Sequence, residues 1–179
     1  MLEFYGLDYQ RVQGVTEAPY DPIADSHIKA LETGASLILE DDCLPFDYRE
    51  ELEVPDDADI VYIGIHGYGV TKHRVSADIW KVSNMLASHA ILYITDRGKD
   101  ILREARDLTE SRRNGYGFDD NLAFLQHKVN TYALNSPIWY QKDFPELTAF
   151  RLEDSDNISF GQYGGWAVDY PEPIAFRGP

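Results

Sequence analysis

The sequence is short of three things. It has one cysteine, Cys43, among 179 residues, so no disulfide closes within the chain and nothing points to an oxidising compartment. It is poor in basic residues, with 16 Lys and Arg against 31 Asp and Glu and a net charge of -15. Phosphate backbones are bound by neutralising them with Lys and Arg, so this balance disfavours nucleic acid, and anionic membranes for the same reason. It lacks any apolar run of about 18 residues, so no membrane span is expected. Met1 to Arg11 has neither a basic start nor an apolar stretch, so no signal peptide is expected and the expected location is cytoplasmic.

The chain is rich in acid, apolar and aromatic residues. Its length fits one domain, and 44% hydrophobic residues suffice for an ordinary core. Aromatics make up 13%, with 12 tyrosines, a load that suits plain cores first and ring-binding sites second.

Periodicity gives an alternation of strands and helices. Tyr9 to Val15 alternates like a short strand. Asp25-Ser26 is the expected start of a helix over His27 to Thr33, ended by Gly34. Ala35 to Leu39 is an apolar run that stops at Glu40-Asp41-Asp42, and Ile60 to Gly64 is a second such run. Both predict strands buried on two faces.

Further on, His66 to Ser76 reads as a polar, glycine-containing loop. Trp80 to Val82 and Val129 to Leu134 read as strands, and Ala87 to Ile94 is apolar around a polar break at Ser88-His89. Thr95 caps an expected helix over 96–110, and Asp119-Asp120 opens another over 121–128. Pro137 begins a connector carrying Trp139, Tyr140 and Gln141. This pattern predicts an α/β/α sandwich with a mainly parallel sheet. Residues 1–158 form the expected domain, and 159–179 an irregular tail packed on the body or on a second copy.

In parallel α/β sheets, ligands sit beyond the carboxyl ends of the strands, where the acidic triplet falls. Three adjacent carboxylates repel one another, and a divalent cation removes that penalty. Mg²⁺ takes one or two protein carboxylates and completes its shell with water and substrate phosphates, which suits a nucleotide-diphosphate donor. A carboxylate at Asp119 or Asp120 is a candidate general base on an acceptor hydroxyl, with an N-cap as the structural alternative.

The histidines divide. Ser26-His27 is expected at a helix N-terminus facing phosphates. His89 is expected to be a satisfied core histidine, and His66 and His73 to be solvated. No His/Cys spacing suits zinc, and no G-x-S-x-G turn is present for a serine hydrolase.

The order Ser26-His27, Leu37 to Asp42, Asp59 to Gly64, Ser88-His89-Ala90, Asp120, Pro137 and Gln141 resembles glycosyltransferase family 25. That family includes lipooligosaccharide and procollagen galactosyltransferases. The resemblance spans roughly residues 5–145. It implies a GT-A-like, Rossmann-like fold, expected here without the family's opening apolar strand, and inverting transfer of a sugar from a nucleotide-diphosphate donor. UDP-sugar would be the donor, and a glycan, lipid-linked sugar or protein hydroxyl the acceptor. By matching positions, Asp42 would hold Mn²⁺ or Mg²⁺, and Glu40 or Asp41 would contact the donor or order the metal's waters. Asp120 would be the base, with Asp119 second. Two other functions remain open. One is a non-catalytic nucleotide-sugar-binding module. The other is a phage-type transferase acting on a hydroxymethylated nucleobase, with Arg103, Arg106, Arg112 and Arg113 as its basic patch.

Overall fold

The computed structural model describes residues 10–17, 21–47, 49, 51–66, 70–111 and 116–157. The expected tail over 159–179, the pair Arg112-Arg113 and Tyr9 lie outside these residues.

The first helix, α1, runs Pro22–Glu32, five residues earlier than its expected start. Its N-cap is Asp21, whose Oδ1 accepts from the Ile23 backbone N–H at 3.0 Å. Proline suits this position because the first helical N–H has no partner to lose and the ring pre-sets φ. Pro22 therefore starts the helix. Residues 10–15 form no strand. They lie against α1 as irregular chain, tied by Val15 N–H to Ser26 Oγ at 2.8 Å and by Lys29 Nζ to the Gln13 carbonyl at 2.9 Å.

The strands are β1 (Leu37–Leu39), β2 (Cys43–Pro45), β3 (Ile60–Tyr62), β4 (Thr71–Arg74), β5 (Ile79–Ser83), β6 (Ala90–Tyr93), β7 (Thr131–Leu134) and β8 (Trp139–Gln141). The remaining helices are α2 (Asp96–Ser111), α3 (Phe118–Leu125) and the one-turn α4 (Pro145–Thr148), with 3-10 turns at Gln126–Lys128 and Leu152–Asn157. Thr95 caps α2 as expected, accepting from Gly98 N–H at 3.2 Å. Three strands were not anticipated. β4 lies inside the expected 66–76 loop, and β2 and β8 pair as a small ribbon with Cys43 opposite Gln141.

Six strands form one sheet in the order β1-β6-β3-β7-β5-β4. Its β3–β7 pair is parallel and every other neighbouring pair is antiparallel. The mainly parallel sheet is thus corrected to a mixed, mostly antiparallel one. The cause is connectivity. Parallel neighbours need a long crossover, whereas antiparallel ones need only a turn, and α2 and α3 are both spent on the single link from β6 to β7. A strand buried on both faces reads the same in either direction, so its sequence carries no sign of orientation.

Helices on both faces are also corrected. α1, α2 and α3 cover the face that presents Ile60, Tyr62, Ile91 and Tyr93. The opposite face, with Val61, Ala90, Tyr132 and Leu134, is covered by Trp139 and Cys43 of the ribbon and by Leu52 and Val54. β3 is consequently buried at all three residues, and each large side chain so buried contributes about 1.5–3 kcal/mol. Among the described residues no helix is long and apolar enough to cross a membrane.

Candidate functional site

β1, β3 and β7 run in one direction and β6 in the other, so one edge of the sheet gathers four chain segments. These are the residues following β1, β3 and β7 and those preceding β6. Register fixes the meeting: Leu39 lies opposite Ala90, and Glu40 N–H donates to the His89 carbonyl at 2.8 Å. The same carbonyl accepts from Cys43 Sγ at 2.8 Å. Burial pushes the Cys43 thiol well up, so it stays protonated as a structural donor.

Glu40 is the hub. Its Oε1 accepts from Ser88 Oγ at 2.6 Å and from His27 Nε2 at 3.2 Å. Burial alone would raise this carboxyl, but the His27 and Ser88 hydrogen bonds outweigh it and hold Glu40 below its ordinary range. His27 itself is 3% exposed. It sits in the body of α1, facing Glu40 with Phe118 edge-on at 5.5 Å, so its expected place at a helix N-terminus is corrected.

Asp119 completes the cluster from α3. Helix α3 begins three residues earlier than expected, which puts both aspartates inside its first turn. Asp120 Oδ2 turns back to accept from Gly117 N–H at 3.1 Å, the capping geometry. Asp119 turns inward toward Glu40 and His27, with its Oδ1 buried and unpartnered. Burial, with Glu40 nearby, raises the Asp119 carboxyl to about 6 although the neighbouring Ser88 hydroxyl opposes the rise. Asp120 thus makes the cap, and Asp119 is the aspartate that faces the cluster.

The acidic triplet does not act together. β1 ends at Leu39 and a tight turn follows, with Cys43 N–H on the Glu40 carbonyl at 3.3 Å. This turn sends Glu40 toward the helices, leaves Asp41 exposed and points Asp42 at the ribbon. Gln141 Nε2 donates to Asp42 Oδ2 at 3.4 Å, while Asp42 Oδ1 is buried without a partner. Burial and then the Glu40 charge raise the Asp42 carboxyl. Ser26 is also outside the cluster. Its hydroxyl donates to the Pro22 carbonyl at 2.6 Å and accepts from Val15, so it secures α1 and the segment before it.

His89 is buried as expected but not satisfied, since neither ring nitrogen makes a well-formed hydrogen bond. Burial lowers it to about 4, against a pull upward from Glu40 and the Trp139 backbone. His66 is half-buried, not solvated, and burial with His89 nearby takes it to about 4 as well. His73 is exposed on β4 as expected. Ser88 is the residue to which sequence reasoning gave no role, although it marked a polar break in an apolar run and belongs to a segment of the resemblance.

Among the described residues, Arg103 and Arg106 are both engaged by carboxylates. Arg103 pairs with Asp100 at 2.7 Å, and Arg106 pairs with Asp25, Asp107 and Glu110 at 3.0 Å each.

No protein-family model matches the chain, and neither a curated protein nor a solved structure is found to be similar to it.

Among the described residues no three His, Cys, Asp or Glu side chains are grouped to hold a metal ion. The unpartnered Asp42 Oδ1 is one suitable oxygen. A single carboxylate fits a hard cation that arrives with a phosphate ligand and keeps most of its waters, and it does not fit a resident cage.

Proposed function

We propose that the chain transfers a sugar from a nucleotide-diphosphate donor to an acceptor hydroxyl, with inversion, on a GT-A-like scaffold. The observation that carries this reading is the convergence of His27, Glu40, Ser88 and Asp119 at the edge where β1, β3 and β7 end. These residues come from segments that resemble the same family in the same order, and they meet where open sheets with parallel strands commonly bind ligands.

In this proposal Asp119 is the general base. A carboxyl near 6 is ionised at neutral pH yet more basic than an ordinary aspartate, which suits removal of the acceptor's proton as the hydroxyl attacks the anomeric carbon. Asp42 holds Mn²⁺ or Mg²⁺ through Oδ1, with Gln141 fixing the other oxygen. A cation held there would neutralise charge on the departing diphosphate. Glu40 organises the site from beneath, since His27 and Ser88 already occupy its Oε1.

That occupancy also favours a second reading, a nucleotide-sugar-binding module without catalysis, in which Glu40 is wholly structural. Calorimetry with UDP and Mn²⁺, followed by UDP-sugar turnover, separates the two. Binding that requires the metal, is lost in Asp42→Asn and is accompanied by turnover supports the transferase. Metal-dependent binding without turnover of any nucleotide sugar supports the module. Failure of every nucleotide diphosphate to bind overturns both.

A further inference from the structure

Residues 84–89 join β5 to β6. β5 runs away from the edge where β1, β3 and β7 end, and β6 begins at that edge, with β7 and β3 between them in the sheet. The link must therefore cross the sheet. It does so on the helix side, where Met85 packs in the same apolar cluster as Tyr62 and Leu122. We propose that Gln126, which opens the 3-10 turn after α3, is a positioning residue: its amide fixes this crossing and thereby places Ser88, His89 and the turn carrying Glu40. Its effect on turnover rests on the sugar-transfer reading; its hold on the edge does not.

Three observations carry it. The first is the fit of the amide. Gln126 is buried, and its Oε1 accepts from Met85 N–H at 2.9 Å. Its Nε2 donates to the Met85 carbonyl at 2.8 Å and to Tyr62 Oη at 2.7 Å. A side-chain amide has one carbonyl oxygen and two N–H donors. Both donors are spent, and one side chain satisfies both backbone groups of Met85 while tying them to β3.

The second is backbone strain on either side of that clamp. Asn84 has φ 57° and Ala87 has φ 81°. They bracket Met85-Leu86, and Ala87 is buried. A β-carbon disfavours this left-handed region, so a non-glycine residue stays there only where its surroundings over-determine it. Met85, held at both its N–H and its carbonyl, is the fixed point between the two.

The third is what hangs from the end of the crossing. Ser88 Oγ donates to Glu40 Oε1 at 2.6 Å, and the His89 carbonyl accepts from Glu40 N–H and from Cys43 Sγ at 2.8 Å each. The side chain and the backbone of Glu40 are thus both held by residues 88 and 89. Met85 also meets the segment after β3, where its Sδ accepts from His66 N–H at 3.3 Å. Gln126 follows Asp119 by two helical turns, about 10 Å along the axis. It therefore acts on the site through the crossing.

The test is amide hydrogen exchange read by NMR, with UDP-sugar turnover measured beside it. Gln126→Met keeps the length and bulk of the side chain and removes all three hydrogen bonds. Glu40 N–H bonds His89 and not Gln126, so it is the remote reporter, and the amides of β7 report global opening. Exchange at Glu40 should rise about tenfold more than exchange in β7, as unpairing buried backbone groups implies, and turnover should fall with it. If thermal unfolding shows that Gln126→Met does not fold, Gln126→Asn carries the same test with the amide on a shorter stem. Exchange at Glu40 that is unchanged, or that rises only as β7 does, overturns the proposal. Faster exchange at Glu40 with undiminished turnover overturns the positioning role. Faster exchange at Glu40, in a protein whose parent turns over no nucleotide sugar, keeps the Gln126 link and overturns the transferase reading instead.

Discussion

The Gly64 α-carbon lies against the His89 ring. A Cβ built on Gly64 would stand 2.2 Å from His89 Nε2 and 2.9 Å from the Ala90 Cβ. Gly64 follows β3 and His89 precedes β6, and both Ile63 and Gly64 N–H donate to the Ala90 carbonyl at 3.1 Å. The missing side chain at 64 is what lets the two strands close over a buried imidazole.

Gly64→Ala should therefore destabilise the fold by about 1–3 kcal/mol, the usual cost of forcing a methyl into a packed interior. His89 is 0% exposed, so its ring has nowhere to retreat. Denaturant unfolding of Gly64→Ala, His89→Ala and the double variant checks this. The double variant should lose less than the sum of the two singles, because the ring that the new methyl strikes is gone. Strict additivity would mean that the clash lies elsewhere.

Asp21 caps two helices. Its Oδ1 accepts from Ile23 N–H at 3.0 Å in α1, and its Oδ2 accepts from Phe118 N–H at 3.2 Å in α3. One lost cap costs about 0.5–2 kcal/mol, so Asp21→Ala should cost about twice an ordinary cap. Asp21→Asn keeps one acceptor oxygen and should recover roughly half. Thermal unfolding of both variants measures it. A loss no larger than one cap would show that Phe118 N–H finds another partner.

Much of the α/β pattern and several site segments were legible in the sequence because they rest on local signals. Apolar runs marked β1 and β3, Thr95 marked the start of α2, and the carboxyl end of β1 marked Glu40. Strand direction was not legible, since Ile60, Val61 and Tyr62 are buried on both faces and look alike in either orientation. The ribbon was missed because Cys43-Leu44-Pro45 and Trp139-Tyr140-Gln141 are each three residues long and acquire meaning only by pairing with each other. The choice between Asp119 and Asp120 turned on where α3 begins. Neighbours on a helix point about 100° apart, so a start misplaced by three residues, which left both aspartates outside the helix, hid which of them faces inward. The role of Ser88 was not legible for a simpler reason: its partner Glu40 is 48 residues away and leaves no trace beside it.

The basic patch needed by a DNA-modifying enzyme should not function. Arg103 and Arg106 are engaged by Asp100, Asp25, Asp107 and Glu110, and the whole chain carries -15. Few free cations mean few phosphate contacts and little affinity at physiological salt. A gel-shift assay on duplex and single-stranded DNA should show no retardation at nanomolar protein. Tight, salt-sensitive binding would overturn this and revive the nucleobase reading.

Asp119 and Asp120 should separate activity from stability. Asp119→Asn removes the proposed base, and general-base catalysis typically contributes about 10²–10⁴-fold, so turnover should fall by that factor with donor binding little changed. Stability should move the other way. Burial raises the folded Asp119 carboxyl to about 6 from the ordinary aspartate value of 3.8, so the folded state binds the proton more tightly than the unfolded chain. Stability is then highest below about 4, declines as pH rises to about 6, and stays reduced above it. The penalty at neutral pH is at most about 3 kcal/mol and smaller in practice, because Asp119 is half-buried and water screens part of it. Asp119→Asn should relieve that penalty, gaining stability at pH 7 and little at pH 4. Asp120→Asn should instead cost about 1 kcal/mol through the lost bond to Gly117 N–H, with turnover mostly kept. The measurement is turnover and denaturant unfolding of both variants at pH 4 and 7. An inactive Asp120→Asn beside an active Asp119→Asn would return the base to Asp120, and an Asp119→Asn that is no more stable at pH 7 would mean that its carboxyl is not held near 6.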